Sequence, residues 1–313
     1  MIASSARSRD GRFAPSPTGD LHLGNLRTAL LAWLFARSAG ARFLVRMEDL
    51  DAGRVRAGMS ERQLEDLRAL GLEWDGPVVR QSERLHLYAE AVDHLDAAGL
   101  LYPCFCTRAE IRAAVSAPHG APRPYPGTCR TLSAAERARR EAAGRPPALR
   151  LTARDATVAF DDELLGRRSQ AVDDFVVRRG DVAPGYNLAV VVDDAAQGIG
   201  QVVRGADLVD STPRQILLAQ LLELTPPAYA HVPLVLGPDG GRLAKRHGAV
   251  TLSDRLAQGE SAASVRSWLA ASVGLAEIGE AVELETLVER VDPRALPVEP
   301  TRLDAADRLP AAA

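Results

Sequence analysis

Lysine is almost missing from this 313-residue chain. Of its 38 basic residues, 37 are arginine and one, Lys245, is lysine. Cysteine is scarce too, at three residues, an odd count that argues against a disulfide framework. No apolar run approaches the length needed to cross a bilayer, and Met1 to Arg9 carries charge without an apolar stretch. No secretory signal is expected, and the cytoplasm is the expected compartment. Net charge is only −3, unlike that of a general nucleic-acid binder. Residues 251–313 hold six arginines against eleven acids, so the tail is a poor candidate for wrapping a phosphate backbone. No segment repeats with a period of 20–50 residues. What is left, 46% hydrophobic and 25% charged, is an ordinary globular composition, long enough for two compact units.

Against so much arginine, the one lysine marks either chance on a surface loop or a position where arginine does not serve. Lysine is a compact point charge on a flexible stem; arginine is a broad planar fork. The run Gly240-Gly241-Arg242-Leu243-Ala244-Lys245-Arg246-His247-Gly248 suits a charge that reaches out to a phosphate.

Far upstream lies Arg12-Phe13-Ala14-Pro15-Ser16-Pro17-Thr18-Gly19-Asp20-Leu21-His22-Leu23-Gly24-Asn25. A short apolar segment enters a Pro/Gly turn, and a helix follows with Leu26, Ala29, Leu30, Trp33 and Leu34 on one face, stopping near Gly40. His22 and Asn25, three apart, share a face at the helix start, where unpaired N–H groups favour phosphate. Gly24 removes a side chain where a ring or phosphate could approach.

Residues 11–15 and 43–47 read as buried strands bracketing this helix, a strand–helix–strand opening for a parallel α/β sheet. The second runs into Glu48-Asp49-Leu50-Asp51, acids at the strand's carboxyl end, where such sheets bind ligands. Helices are expected at about 60–70 and 82–99, the latter capped by Ser82. Ala189–Val192 reads as a buried strand, Thr212-Pro213 as a helix start, and His231–Leu236 as the last strand before the lysine loop. Arg137, Arg139, Arg140 and Arg145 form either a solvated helix face or an RNA contact.

Cys104, Cys106 and Cys129 are either small buried hydrophobes or thiolates that suit zinc, which takes four ligands. His119 and Tyr125 are candidates for the fourth; a phenolate is feasible beside a dication.

The two motifs, with Tyr186-Asn187-Leu188-Ala189-Val190-Val191-Val192-Asp193-Asp194, Val203-Arg204-Gly205-Ala206-Asp207-Leu208 and Thr212-Pro213-Arg214-Gln215-Ile216 between them, resemble the class I aminoacyl-tRNA synthetases, glutamyl branch, from about Arg12 to Asp254. Arg242 and Ala244 depart from lysine and serine that the family often has there, which bears on rate rather than on activity itself. The resemblance implies a Rossmann-like doubly wound parallel sheet with a zinc-binding insertion and a short helical C-terminal region. The catalytic domain's halves would span 1–103 and 151–253, the insertion 104–150, and the C-terminal region 254–313, with no anticodon-binding domain.

It further implies ATP, with Mg²⁺, and L-glutamate as substrates. Arg12, Phe13, Ala14, Pro15, Ser16, Glu48, Tyr186 and Arg204 would hold glutamate: Glu48 for the ammonium, Tyr186 as a hydrogen-bond donor. Two arginines and one acid suit two carboxylates and one amine. His22, Gly24, Asn25 and Lys245 would hold ATP, with His22, Asn25 and Lys245 stabilising the reacting phosphate. Tyr125 is the favoured fourth ligand to a single structural zinc beside Cys104, Cys106 and Cys129. The short acidic C-terminal segment resembles a shortened branch of the family that activates glutamate without tRNA and transfers it to queuosine in the anticodon of tRNA(Asp). The alternative is charging of a tRNA 3′ end. Neither a membrane nor an obligate protein partner is expected.

Overall fold

The computed structural model describes residues 8–107, 109–111, 125–144, 146–241, 243, 247–248 and 250–303. It opens as the sequence predicts. Strand β1 (Gly11–Phe13) leads through the proline turn into helix α1 (Leu23–Ser38) and returns as β2 (Phe43–Met47), parallel to β1. Gly40, at φ 62°, turns the chain after α1, a conformation glycine adopts without strain. Helix α2 (Met59–Ala69) and strand β3 (Val79–Arg80) follow, β3 parallel to β2. A 3₁₀ turn at Gln81–Glu83 precedes α3 (Leu85–Ala97). Ser82 therefore does not cap the helix as expected. The Asp49 carboxylate captures both its N–H (2.8 Å) and its hydroxyl (2.7 Å).

Strand β4 (Leu101–Cys104) and, beyond α4 (Ala134–Ala142), strands β5 (Ala148–Leu151) and β8 (Phe175–Arg178) form a three-stranded antiparallel sheet. Between β5 and β8, β6 (Thr157–Asp162) and β7 (Gly166–Ala171) make a hairpin. Helix α5 (Tyr186–Ala196), strand β9 (Gln201–Gly205), helix α6 (Thr212–Leu221) and strand β10 (Ala228–Val232) complete a sheet ordered β7-β6-β10-β9, with β10 parallel to both neighbours.

Two expected strands change. Ala189–Val192 is helical, inside α5. Its β-branched run favours a strand locally, but α5 buries Leu188, Ala189, Val190 and Val191 together with Asp193 and Asp194, and packing overrides so weak a preference. The expected strand at His231–Leu236 is split. Strand β10 ends at Val232 and β11 is only Val235–Leu236. Pro233 lies between them, with no N–H for a ladder, and its carbonyl is taken by Arg27 at 2.7 Å.

The Asp10 carbonyl accepts from the N–H groups of Gly200 (3.0 Å) and Gln201 (3.2 Å), so β1 and β9 run side by side. Strand order leaves β1 towards β3 on one side and β9 towards β6 on the other. This reversal is where doubly wound sheets open a crevice at the strands' carboxyl ends.

Helix α1 is buried on nearly every side, with Leu23, Leu26, Leu30, Leu31 and Leu34 wholly enclosed. Helices α7 (Leu252–Ala257), α8 (Ala262–Ala271) and α9 (Leu284–Arg290) follow the lysine loop; α8 and α9 pack on α1. Truncating Leu30 to alanine would cost about 2–5 kcal/mol. The C-terminal segment is not purely helical: β12 (Thr301–Arg302) pairs in parallel with β11.

Candidate active site

A cleft of about 640 Å³ opens at the carboxyl ends of β1, β2 and β9. Arg12, Phe13, Ala14, Pro15, Ser16, His22, Gly24, Asn25, Glu48, Tyr186 and Arg204, from four separate segments, all line it. Lys245, Arg242, Ala244 and Arg246 lie outside the described residues, but Leu243 lines the cleft.

His22 caps α1 in a reciprocal box. Its Nδ1 accepts from the Asn25 N–H at 3.2 Å, and Asn25 Oδ1 accepts from the His22 N–H at 3.3 Å. With Nδ1 accepting, the neutral imidazole carries its proton on Nε2, and Asn25 keeps its amide NH₂ as a donor. Burial holds His22 below its usual pKa of 6.5. Two neutral N–H donors thus sit at the positive end of a sixteen-residue helix, a setting that favours anionic oxygens. A Cβ on Gly24 would come 3.1 Å from the His22 ring, so the glycine also makes room for the histidine that caps the helix.

The opposite wall is held by charge. Arg12, buried in β1, donates from Nε to Asp194 Oδ1 (3.2 Å), and Arg46 Nη1 reaches the same oxygen at 2.8 Å. Arg46 also lies 3.5 Å from Glu48 and 3.7 Å from Asp193. Burial pushes the Glu48 carboxyl above its usual range despite Arg46 and Arg12. Asp194 is buried as well, but the two guanidiniums bring it below that range.

Arg204, in β9, is gripped on three sides. Nε donates to His231 Nε2 (3.1 Å), Nη1 to Gln215 Oε1 (2.8 Å) and Nη2 to Thr212 Oγ1 (2.7 Å). His231 Nδ1 meets Asp162 Oδ2 at 2.5 Å. Each terminal nitrogen of Arg204 has a second N–H beyond these bonds. Gln63, wholly buried in α2, ties down the proline turn through the carbonyls of Ser16 (3.1 Å) and Gly19 (2.7 Å).

The sequence pointed to most of the functional residues on the cleft wall but not to Gln63, which also lines it, nor to the part played by those behind it: Arg46, Asp162, Thr212, Gln215 and His231. Arg46 carried a signal, a charge inside the apolar strand Phe43-Leu44-Val45-Arg46-Met47. Thr212 and Gln215 stand in a motif already quoted, 8 and 11 residues from Arg204, but nothing in that motif tied them to the arginine. Asp162 acts on His231 over 69 residues and leaves no local trace.

The three cysteines converge. Their sulfurs all lie within 4.8 Å of one another, with Cys106 and Cys129 at 3.4 Å. The Tyr125 hydroxyl is 3.5 Å from Cys104 Sγ and 3.6 Å from Cys106 Sγ. Sulfurs bound tetrahedrally at about 2.3 Å from one ion sit roughly 3.8 Å apart, so these four atoms fit a single small cation. His119 lies outside the described residues. Among the described residues no other group of three such side chains could hold a metal.

A phosphate-favouring helix start and a buried arginine–acid wall thus meet at the switch point of a doubly wound sheet, where such folds bind their ligands. The chain belongs to the class I tRNA synthetases, E and Q branch: residues 10–280 match that family's catalytic domain. Over 290 residues it is 60% identical to the glutamyl-Q tRNA(Asp) synthetase of Nocardia farcinica, covering 93% of this chain and 91% of that one. It is 46% identical to glutamate–tRNA ligase 2 of Acidithiobacillus ferrooxidans, but covers only 57% of that protein. The crystal structure of a glutamate tRNA ligase from Elizabethkingia meningosepticum, in complex with its amino acid, superposes with a TM-score of 0.81 at 27% identity, over 96% of this chain and 68% of that one. No helix among the described residues is long and apolar enough to cross a membrane.

Proposed function

We propose that this chain activates L-glutamate with ATP to glutamyl-adenylate, without tRNA, and then transfers the glutamyl group to queuosine in the anticodon of tRNA(Asp). The observation that carries the amino-acid half is the placement of buried Arg12 and Arg204 in one cleft with Glu48. A ligand with two carboxylates and one ammonium matches that set. Asp194 holds Arg12 by Nε, leaving the terminal fork for one carboxylate; the remaining N–H groups of Arg204 serve the other. Glu48 faces the ammonium, and Tyr186 donates a hydrogen bond. The backbone of Phe13 to Ser16, fixed by Gln63, closes the pocket.

The α-carboxylate of glutamate attacks the α-phosphorus of ATP and pyrophosphate leaves, so no general base or enzyme nucleophile is required. Catalysis is positioning plus charge stabilisation. His22 Nε2 and the Asn25 amide donate to phosphate oxygens, and Lys245 supplies the positive charge. Mg²⁺ is expected to arrive with ATP, neutralising its phosphates. Zinc at Cys104, Cys106, Tyr125 and Cys129 fits the donor geometry, and four protein ligands make its role structural. ATP and tRNA as substrates favour the cytoplasm.

The acceptor half is supported by the 60% identity to the Nocardia farcinica protein along nine-tenths of both chains. The test is labelled-glutamate transfer to tRNA(Asp) with and without queuosine. Label is expected only on queuosine-containing tRNA, and it should survive removal of the 3′-terminal adenosine. Label on the 3′ end of tRNA(Glu), indifferent to queuosine, would overturn the acceptor in favour of ordinary charging.

A further inference from the structure

Two consecutive acids stand between the cysteine cluster and the amino-acid end of the cleft. Asp174 faces the antiparallel sheet, accepting from the Tyr102 hydroxyl (2.7 Å) and the Ala153 N–H (2.8 Å). Asp173 turns the other way. Its Oδ2 accepts from the Tyr125 N–H at 2.8 Å, and its Oδ1 from Arg214 Nε (2.8 Å) and Nη2 (2.5 Å). Tyr125 is further clamped by Arg150, whose guanidinium lies 3.7 Å from its ring centre. Arg214 is in the first turn of α6, between Thr212 and Gln215, the two residues that hold the terminal nitrogens of Arg204. Gln215 also donates to Asn187, beside Tyr186, at 3.2 Å.

We propose that Asp173 is a positioning residue for glutamate. Through Arg214 it fixes the first turn of α6, and through that turn the Arg204 guanidinium, so that the Tyr125 corner of the cysteine cluster and the glutamate-binding arginine form one rigid unit. The proposal rests on the role of Arg204 given above. An exposed ion pair would add little, but here Asp173 and Arg214 are 16% and 26% exposed, and the bond is a two-nitrogen grip on one oxygen. A small displacement of the α6 start moves both Thr212 Oγ1 and Gln215 Oε1, and misplaced positioning groups are costly.

The test is glutamate-dependent ATP–pyrophosphate exchange by the full chain, alongside glutamate binding by calorimetry and metal content. Asp173→Asn keeps an acceptor for the Tyr125 N–H but removes the charge that Arg214 grips. Its glutamate KM and Kd are expected to rise about tenfold, within the usual range of coupling between sites, with KM for ATP unchanged and metal retained. Arg214→Ala should match it, the double variant should be no worse than either single one, and Arg214→Lys should recover part of the loss. Unchanged glutamate binding, additive losses, or equal losses for ATP and glutamate would overturn the proposal. If Asp173→Asn does not fold, Arg214→Lys alone decides, by whether its glutamate Kd rises. A wild-type chain that fails to exchange with glutamate would sink the assigned function itself, a distinguishable result.

Discussion

His231 Nε2 accepts from Arg204 Nε at 3.1 Å while His231 Nδ1 lies 2.5 Å from Asp162. An imidazole that accepts at Nε2 carries its proton at Nδ1, so this histidine is neutral and its proton faces the aspartate. Asp162 thus orients the ring, and the ring orients the arginine.

The first prediction follows from that chain. In His231→Ala, Arg204 loses one of three restraints and Asp162 Oδ2 loses the ring, while Asp162 Oδ1 keeps its backbone donors. Losing a hydrogen bond to a charged group costs about 1.5–3 kcal/mol. We expect a lower Tm, a raised glutamate KM and an ATP KM close to that of the wild type, measured by thermal unfolding and pyrophosphate exchange. An unaltered glutamate KM would separate His231 from the amino-acid site.

The pH dependence has a definite sign. Burial above all, with the Arg204 charge adding, holds His231 below the usual 6.5 despite Asp162, and burial does the same to His22. The unfolded chain takes up both protons near 6.5; the folded chain resists until lower pH. The associated stability is fully present above 6.5 and is lost as pH falls from there through the depressed folded values. Denaturant titrations from pH 7.5 to 5.5 should show falling stability, with a shallower slope in His231→Gln. An identical slope would refute the assignment.

Lys245→Ala should slow pyrophosphate exchange by about 10²–10³-fold with the fold intact, the usual cost of one charge-stabilising group. Lys245→Arg should be impaired as well, since a guanidinium does not fill a point-charge role. Full activity of the arginine variant would remove the meaning given to the chain's single lysine.

Metal analysis checks the cysteine cluster. Protein purified without chelator should carry close to one zinc per chain, and Cys129→Ser should lose it. Tyr125→Phe should weaken retention. Full retention in Tyr125→Phe with loss in His119→Ala would transfer the fourth ligand to the histidine.

The proline turn, the helix after it and the parallel strands on either side were legible because their signals are local: Pro15 and Pro17, the apolar spacing from Leu26 to Leu34, the acids closing β2. Ala189–Val192 was misread for the opposite reason. Its helical state is set by Asp193, which receives Gln81 (2.8 Å), Arg84 (2.6 Å) and Tyr88 (2.7 Å), and by Asp194, which receives Arg12 and Arg46. Such partners, more than a hundred residues away, leave no mark on the segment's own periodicity. Likewise Arg204 was recognisable from its motif, whereas nothing local showed that Gln215, in a neighbouring motif, and His231 aim it.

The segment that carries Lys245 is moored at both ends. Ahead of it, Leu236 accepts from the Leu303 N–H at 2.8 Å, and Arg27 of α1 reaches both Pro233 and Thr301. Behind it, Val250 accepts from the Leu23 N–H at 2.7 Å, and Thr251 bridges to His22. One mooring is therefore the start of α1 and the other is completed by β12, more than fifty residues beyond Lys245. Residues near Thr301 are thus tied mechanically to the strand that leads into the Lys245 segment. On the role proposed for Lys245, trimming the chain ahead of them would slow glutamate-dependent pyrophosphate exchange.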